Sequence, residues 1–151
     1  MRPLKNFEEF VKRGIIKKRT PDIFRAKSLI GEAEKRDSFL KIMSKKIKLS
    51  DDNANYFIEN SYDLLISTIR ANLLIAGFKA SGEGAHEAEV SFMRELAFTE
   101  KEVRFMNELR HFRNGILYYG KTFDSDYAIK VLQFKDDLFP KLRSEFHSKK
   151  L

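Results

Sequence analysis

The chain has no cysteine in its 151 residues, which excludes a disulfide framework and any thiolate metal site. It has only three prolines and seven glycines, too little punctuation for a protein of many short strands and tight turns. No apolar run approaches the ~20 residues that a membrane-spanning helix needs, and no charged-then-apolar-then-small leader is visible. A reducing compartment suits such a chain. The cytoplasm is the expected location, and no membrane is expected among its partners.

What the chain does have is material for a core. Hydrophobic residues make up 42% and aromatic residues 13%, against 34% charged residues, a balance that folds and stays in solution. At this length one domain over residues 1–151 is the default, able to bury a core without staples. The net charge of +7 is unevenly spread. Residues 1–50 hold 15 Lys and Arg against 6 Asp and Glu, a balance of +9, which leaves 14 against 16 in residues 51–151. A basic amino-terminal half favours a phosphate-bearing or otherwise anionic partner, although a solvated lysine-rich helix face has the same composition.

Apolar residues recur at spacings of three and four along most of the chain, predicting helices. Residues 1–19 form a peripheral helix or arm, with Phe7, Phe10, Val11 and Ile15 on one side of the segment from Leu4 to Lys18. Residues 20–147 form the bundle core. Thr20-Pro21 reads as a cap and first-turn proline for a helix ending near Lys45-Lys46-Ile47-Lys48. Ser50-Asp51-Asp52 opens a second long helix to about Lys79, where Gly77 can end it. Its stripe of Ile58, Tyr62, Leu65, Ile69, Leu73 and Ala76 is flanked by Phe57, Leu64, Ile66 and Ile75. Such width predicts burial on more than one side, either as the central helix or as a helix shared with a subunit interface over residues 56–76. Beyond the Ser81–Gly84 connection a helix covers Ala85 to Leu96. Thr99 and Glu102 then form a capping box for one reaching about Tyr119, and Asp124 or Ser125 opens the last. Pro140 is expected to kink or split that helix near Phe139. The fold class is all-α: an antiparallel four-helix bundle with one or two additional short helices.

Several chemistries lack their residues. Gly82 and Gly84 are not followed by the Lys-Ser/Thr of a phosphate-binding loop. His86 and Glu89 have i, i+3 spacing but lack the second acid-histidine helix of a bundle metal site, so no metal and no cofactor are expected. His86 reads as a polar residue at a helix start, and His147 as a solvent-facing one at a helix end. The exceptional stretch is residues 110–120, which carries Arg110, His111, Arg113, Asn114, Tyr118 and Tyr119. At ~100° per residue Arg113 lies about 40° from Leu109, at the edge of an apolar face. An arginine there must be paired. Either a carboxylate of a neighbouring helix, Asp63 or Glu59, holds it, or it is a fork kept for a phosphate or an oxyanion.

This layout resembles the HEPN superfamily (higher eukaryotes and prokaryotes nucleotide-binding), helical bundles whose fourth long helix carries an Arg, a following polar residue such as Asn, and then a His. Arg113-Asn114 matches the first two positions, the segment from Gly77 to Ala88 looks like the inter-helix connection of archaeal and bacterial members, and the resemblance covers roughly residues 20–147. It implies RNA or a nucleotide as partner and a homodimer with both arginines at a shared cleft. In toxin members it implies metal-independent endoribonuclease activity and a nucleotidyltransferase-type antitoxin partner. Where the family's histidine would stand, five residues after Arg113, this chain has Tyr118. A phenol with an ordinary pKa of ~10 is a poor base at neutral pH, and losing acid-base help removes roughly 100- to 10,000-fold in rate.

Three readings follow. In the first, the chain is a catalytically weak or inactive RNA- or nucleotide-binding module using Arg113, Asn114, Arg110 and Tyr119, with Tyr118 as a hydrogen-bond donor or stacking ring. In the second, it is an endoribonuclease using Arg113 with Tyr118 or His111. In the third, it is a helical scaffold or partner-binding protein in which Arg113 is an internal ion pair. Residues five apart are ~140° apart around a helix, so Arg113 and Tyr118 meet best across a two-fold axis.

Overall fold

A computed structural model describes residues 2–149 and shows an all-α protein. Four long helices dominate: α2 (Ile23–Lys46), α3 (Ala54–Ile75), α5 (Glu100–Tyr119) and α6 (Ser125–His147). Short helices α1 (Phe7–Lys12) and α4 (Ala85–Ser91) complete the six among the described residues, and α4 tightens into a 3₁₀ turn over Phe92–Leu96.

Helix α3 is the axis of this bundle. Fourteen of its residues are buried, on every side from Phe57 and Ile58 to Leu73 and Leu74, and α2, α4, α5 and α6 all pack on it. That is the central-helix alternative of the sequence reading. The apolar stripe itself is consumed inside one chain, while Tyr56 and Ala76 at its two ends are exposed. Tyr62, Leu65, Ile69, Met93, Met106, Leu109, Val131 and Leu142 form the heart of the main cluster. The amino-terminal helix does not hang loose: Phe7 and Phe10 are buried with Ile16, Leu73 and Phe92.

Two starts follow their sequence signals closely. Thr99 Oγ1 accepts from Glu102 N (3.2 Å) while Glu102 Oε1 accepts from Thr99 N (2.9 Å), a complete capping box. Asp124 Oδ1 accepts from Tyr127 N at 2.8 Å. Elsewhere the structure corrects the expectation. Asp22, not Thr20, caps α2, through Arg25 N (3.0 Å). Asn53, not Ser50 to Asp52, stands at the start of α3, where its Oδ1 holds Ser50 N at 2.9 Å. Pro140 does not split α6, which runs unbroken through it. Both Pro140 and Asp136, whose carbonyl loses its usual donor, are exposed.

The largest departure is a small antiparallel sheet. Residues Ile16–Lys18 (β1) pair with Phe78–Ala80 (β2) in the register Ile16↔Ala80, Lys17↔Lys79, Lys18↔Phe78, where helix was expected up to Lys18 and Lys79. Glycines at φ 75° (Gly14) and φ 87° (Gly77) turn the chain out of α1 and α3, a conformation that costs other residues more. At Gly77 a Cβ would also lie 3.1 Å from the Arg19 carbonyl oxygen. The sheet fixes where the chain re-enters at α4, and so where His86 and Glu89 stand.

Candidate functional site

A connected run of polar side chains crosses four helices on one side of α3. Asp63 sits at its centre. Its Oδ2 accepts from Arg36 Nη1 of α2 and its Oδ1 from Arg113 Nη2 of α5, both at 3.2 Å. The Arg113 guanidinium lies over the Tyr62 ring, 5.4 Å from its centroid, a distance at which a cation is attracted by the ring face. Tyr62 Oη is 3.2 Å from His86 Nδ1, and His86 Nε2 is 3.5 Å from Arg70 Nη2. Arg70 in turn donates Nε (2.5 Å) and Nη2 (3.0 Å) to the two oxygens of Glu89. Arg110 lies one turn before Arg113, its Nε on Asn107 Oδ1 at 3.0 Å.

Local structure explains this convergence. Asp63 and Arg70 are two turns apart on α3, and His86 and Glu89 are one turn apart on α4, so each pair shares a face. Gly84 at φ 85° and Gly82 at φ 80° swing the chain from β2 into α4. Tyr62 and Glu89 are buried, whereas His86 is exposed. Burial, reinforced by Glu89, pushes the Tyr62 phenol above its ordinary value, so it stays protonated. Partial desolvation against α3 and α4 pulls His86 down, with Arg70, Arg113 and Arg110 adding to that and only Glu89 opposing it. His86 is therefore a neutral imidazole at pH 7. The tautomer that satisfies both contacts carries its proton on Nδ1, donates to Tyr62 Oη and leaves Nε2 as acceptor toward Arg70.

Charge is not balanced here. Four guanidinium groups, Arg36, Arg70, Arg110 and Arg113, face two carboxylates, Asp63 and Glu89, leaving two positive charges. Arg113 is only 19% exposed, and its buried Nε has no hydrogen-bond partner among the described residues. Leaving such a donor unsatisfied costs about 1–3 kcal/mol.

The residues singled out in the sequence part company around α5. Of the two carboxylates expected beside Arg113, Asp63 is the one that holds it. Asn114, His111, Tyr118 and Tyr119 instead line a cleft of about 560 Å³ with Lys121 and Phe123. His111 and Tyr118 lie about 160° and about 140° from Arg113 around the helix, so neither is brought to the arginine within one chain. Tyr118 and Tyr119 are 71% and 79% exposed. Gly120, at φ 62°, ends α5, and Asn55 clamps the following loop, donating to Lys121 O (2.9 Å) and accepting from Phe123 N (3.0 Å).

Sequence reading missed Tyr62, Arg70, Glu89 and Arg36 as site residues. Tyr62 looked like one more apolar position of the α3 stripe, and the His86–Glu89 spacing pointed only to a metal. Among the described residues no group of three or more His, Asp or Glu is arranged to hold a metal ion. The signal available was the pairing of an acid on α4 with Arg70 on α3, which needs the angle between the helices to be known. Compared with known proteins, the chain matches no protein-family model, no curated protein and no solved structure.

Proposed function

We propose that the chain is a HEPN-like module that binds RNA or a nucleotide, with weak or no catalysis. The observation that carries this reading is the sharing of Asp63 between Arg36 and Arg113 inside a network with two more arginines than its carboxylates neutralise. A purely structural ion-pair network has no use for that surplus. A polyanion does, because each phosphate drawn to a guanidinium releases a counterion and gains a charge-assisted hydrogen bond. The basic amino-terminal half extends the attraction, and the exposed Tyr118 and Tyr119 offer faces on which bases stack.

Weak catalysis follows from the positions of the proton carriers. Tyr118 and His111 face away from Arg113 around α5. His86 is near the arginines, but Tyr62 engages its Nδ1 and its Nε2 faces Arg70. An oxyanion-stabilising arginine without a free acid-base partner forgoes roughly 100- to 10,000-fold in rate.

One observation favours a second reading, the scaffold. The Arg113–Asp63 contact at 3.2 Å is what an internal ion pair looks like. A homodimer remains part of the first proposal, with an interface away from the buried α3 stripe. A nucleotidyltransferase-type partner belongs with the ribonuclease alternative.

Incubating the purified chain with mixed RNA in chelator, beside Arg113→Ala, separates these readings. Binding at ~50 mM salt, weakened by the substitution and without cleavage, is the expected result. Cleavage abolished by Arg113→Ala overturns the inactive-module reading in favour of the ribonuclease. Absence of binding at that salt leaves the scaffold. Sedimentation at micromolar concentration reads the dimer, and a monomer there removes it.

A further inference from the structure

A second concavity lies beyond His86, between α2, α3, β2 and α4. Its volume is about 200 Å³, and Arg25, Arg70, Lys79, His86 and Glu89 line it over a floor that includes Leu74. This is smaller than the ~300–1,000 Å³ that encloses a drug-sized molecule, so it suits a compact group or the end of a longer one. Glu89, its one carboxylate, is already held by two bonds from Arg70. Those bonds also fix the Arg70 fork, whose Nη1 has no hydrogen bond among the described residues. Arg25 and Lys79 have no carboxylate partner among the described residues either.

The sheet contributes an independent observation. Its register sets Lys17 directly opposite Lys79, and like charges facing each other across an antiparallel pair destabilise it. The pairing is kept by a single three-residue strand on each side. An anion in the adjoining pocket relieves that repulsion.

We propose that this pocket binds a phosphate monoester, the phosphorylated end of an RNA or of a mononucleotide. A monoester carries about −1.5 to −2 charges near neutrality and three strong acceptor oxygens. That matches Arg25 and Lys79 as unpaired cations with Arg70 Nη1 as a fixed donor. A phosphodiester inside a strand continues in both directions and needs an open groove, whereas a terminal phosphate needs only a closed end. The inference rests on the nucleic-acid reading above for the molecule that carries the phosphate.

The test is calorimetric titration of the full chain at low salt with inorganic phosphate, repeated with Lys79→Ala, Arg25→Ala and Lys46→Ala. Lys46 ends α2 and is not part of the pocket. Saturation by phosphate is expected, weakened about tenfold by either pocket variant, the loss of one charge-assisted hydrogen bond, and unchanged in Lys46→Ala. No saturation in the millimolar range, or an equal loss in all three variants, overturns the site. Short RNAs ending in 5′-phosphate, 3′-phosphate or hydroxyl groups then identify the source. Tighter binding of one phosphorylated end, abolished by Lys79→Ala, supports the proposal. Equal binding of all three RNAs sinks it while leaving RNA binding standing. Phosphate binding that depends on Lys79, with no RNA binding at all, keeps the pocket and sinks the nucleic-acid reading.

Discussion

Replacing Asp63 by Asn separates a binding site from an internal ion pair, because the two assign opposite signs to its effect on RNA. Asp63 accepts from Arg36 and Arg113 at 3.2 Å each and is about one-third exposed. The amide keeps one acceptor oxygen, so about one charged hydrogen bond is removed, costing roughly 1–2 kcal/mol. For a chain of this size that lowers the melting temperature by about 2–8 °C. The same change removes a negative charge a few ångströms from any phosphate held by Arg113. At 4 Å, even fully water-screened, that repulsion is about 1 kcal/mol, which tightens RNA binding about fivefold. Fluorescence anisotropy with a labelled single-stranded RNA at low salt measures the affinity, and calorimetric melting measures the stability. A less stable protein that binds RNA more tightly is expected. Reduced stability with unchanged or weaker RNA binding would refute the reasoning and make Arg113 structural.

Other expectations concern the frame that holds the site. Lys135 is almost wholly buried, with Nζ 2.8 Å from Asp37 Oδ1 and 2.7 Å from Asp136 Oδ1 of its own helix; Asp37→Ala removes the inter-helix partner and leaves only the half-exposed Asp136, destabilising by about 1–3 kcal/mol in urea titration. Lys135→Met costs much less, since Asp37 keeps Lys41 at 3.1 Å, and a loss equal to that of Asp37→Ala would contradict this. Burial pushes Asp37 up, but bonds from Lys135 and Lys41 outweigh it and hold the carboxyl below its ordinary value; its stabilisation is present above about pH 4 and fades as pH falls through the folded value. His86 is also lowered in the fold, so the unfolded chain binds its proton first. Stability then drops as pH falls below about 6.5, and His86→Gln should flatten that slope in denaturant midpoints taken at pH 5–7. Thr99→Ala removes the capping bond to Glu102 N and should cost about 1 kcal/mol by thermal melting.

Much of the fold is legible because helices announce themselves twice, by a period of 3.6 and by their caps. Thr99-x-x-Glu102 and Asp124 mark their helices at the right residues. The wide stripe of α3 foretells its central place. The sheet is illegible because three-residue strands have no period to read, and Lys17 and Lys79 meet across more than sixty residues. Pro140 misleads because its cost depends on whether the orphaned carbonyl is reached by water, a tertiary fact. At the site, Arg113 is conspicuous as a guanidinium beside an apolar face, which narrows an ion-pair partner to Asp63 or Glu59, and only the packing of α5 on α3 selects Asp63. Tyr62, by contrast, is both a core residue and the link from Arg113 to His86. No local pattern separates those roles, since the link exists only once α4 lies across α3.

The central claim is that the surplus arginines meet phosphates. The measurement that tests it most directly is the salt dependence of single-stranded RNA affinity, for the native chain and for Arg36→Ala/Arg113→Ala. If both guanidinium groups engage phosphates, the plot of log K against log salt becomes shallower by about 1.4 in the double variant, roughly 0.7 for each phosphate no longer neutralised. Affinity at low salt falls with it. Identical slopes and affinities in the two proteins would contradict the account.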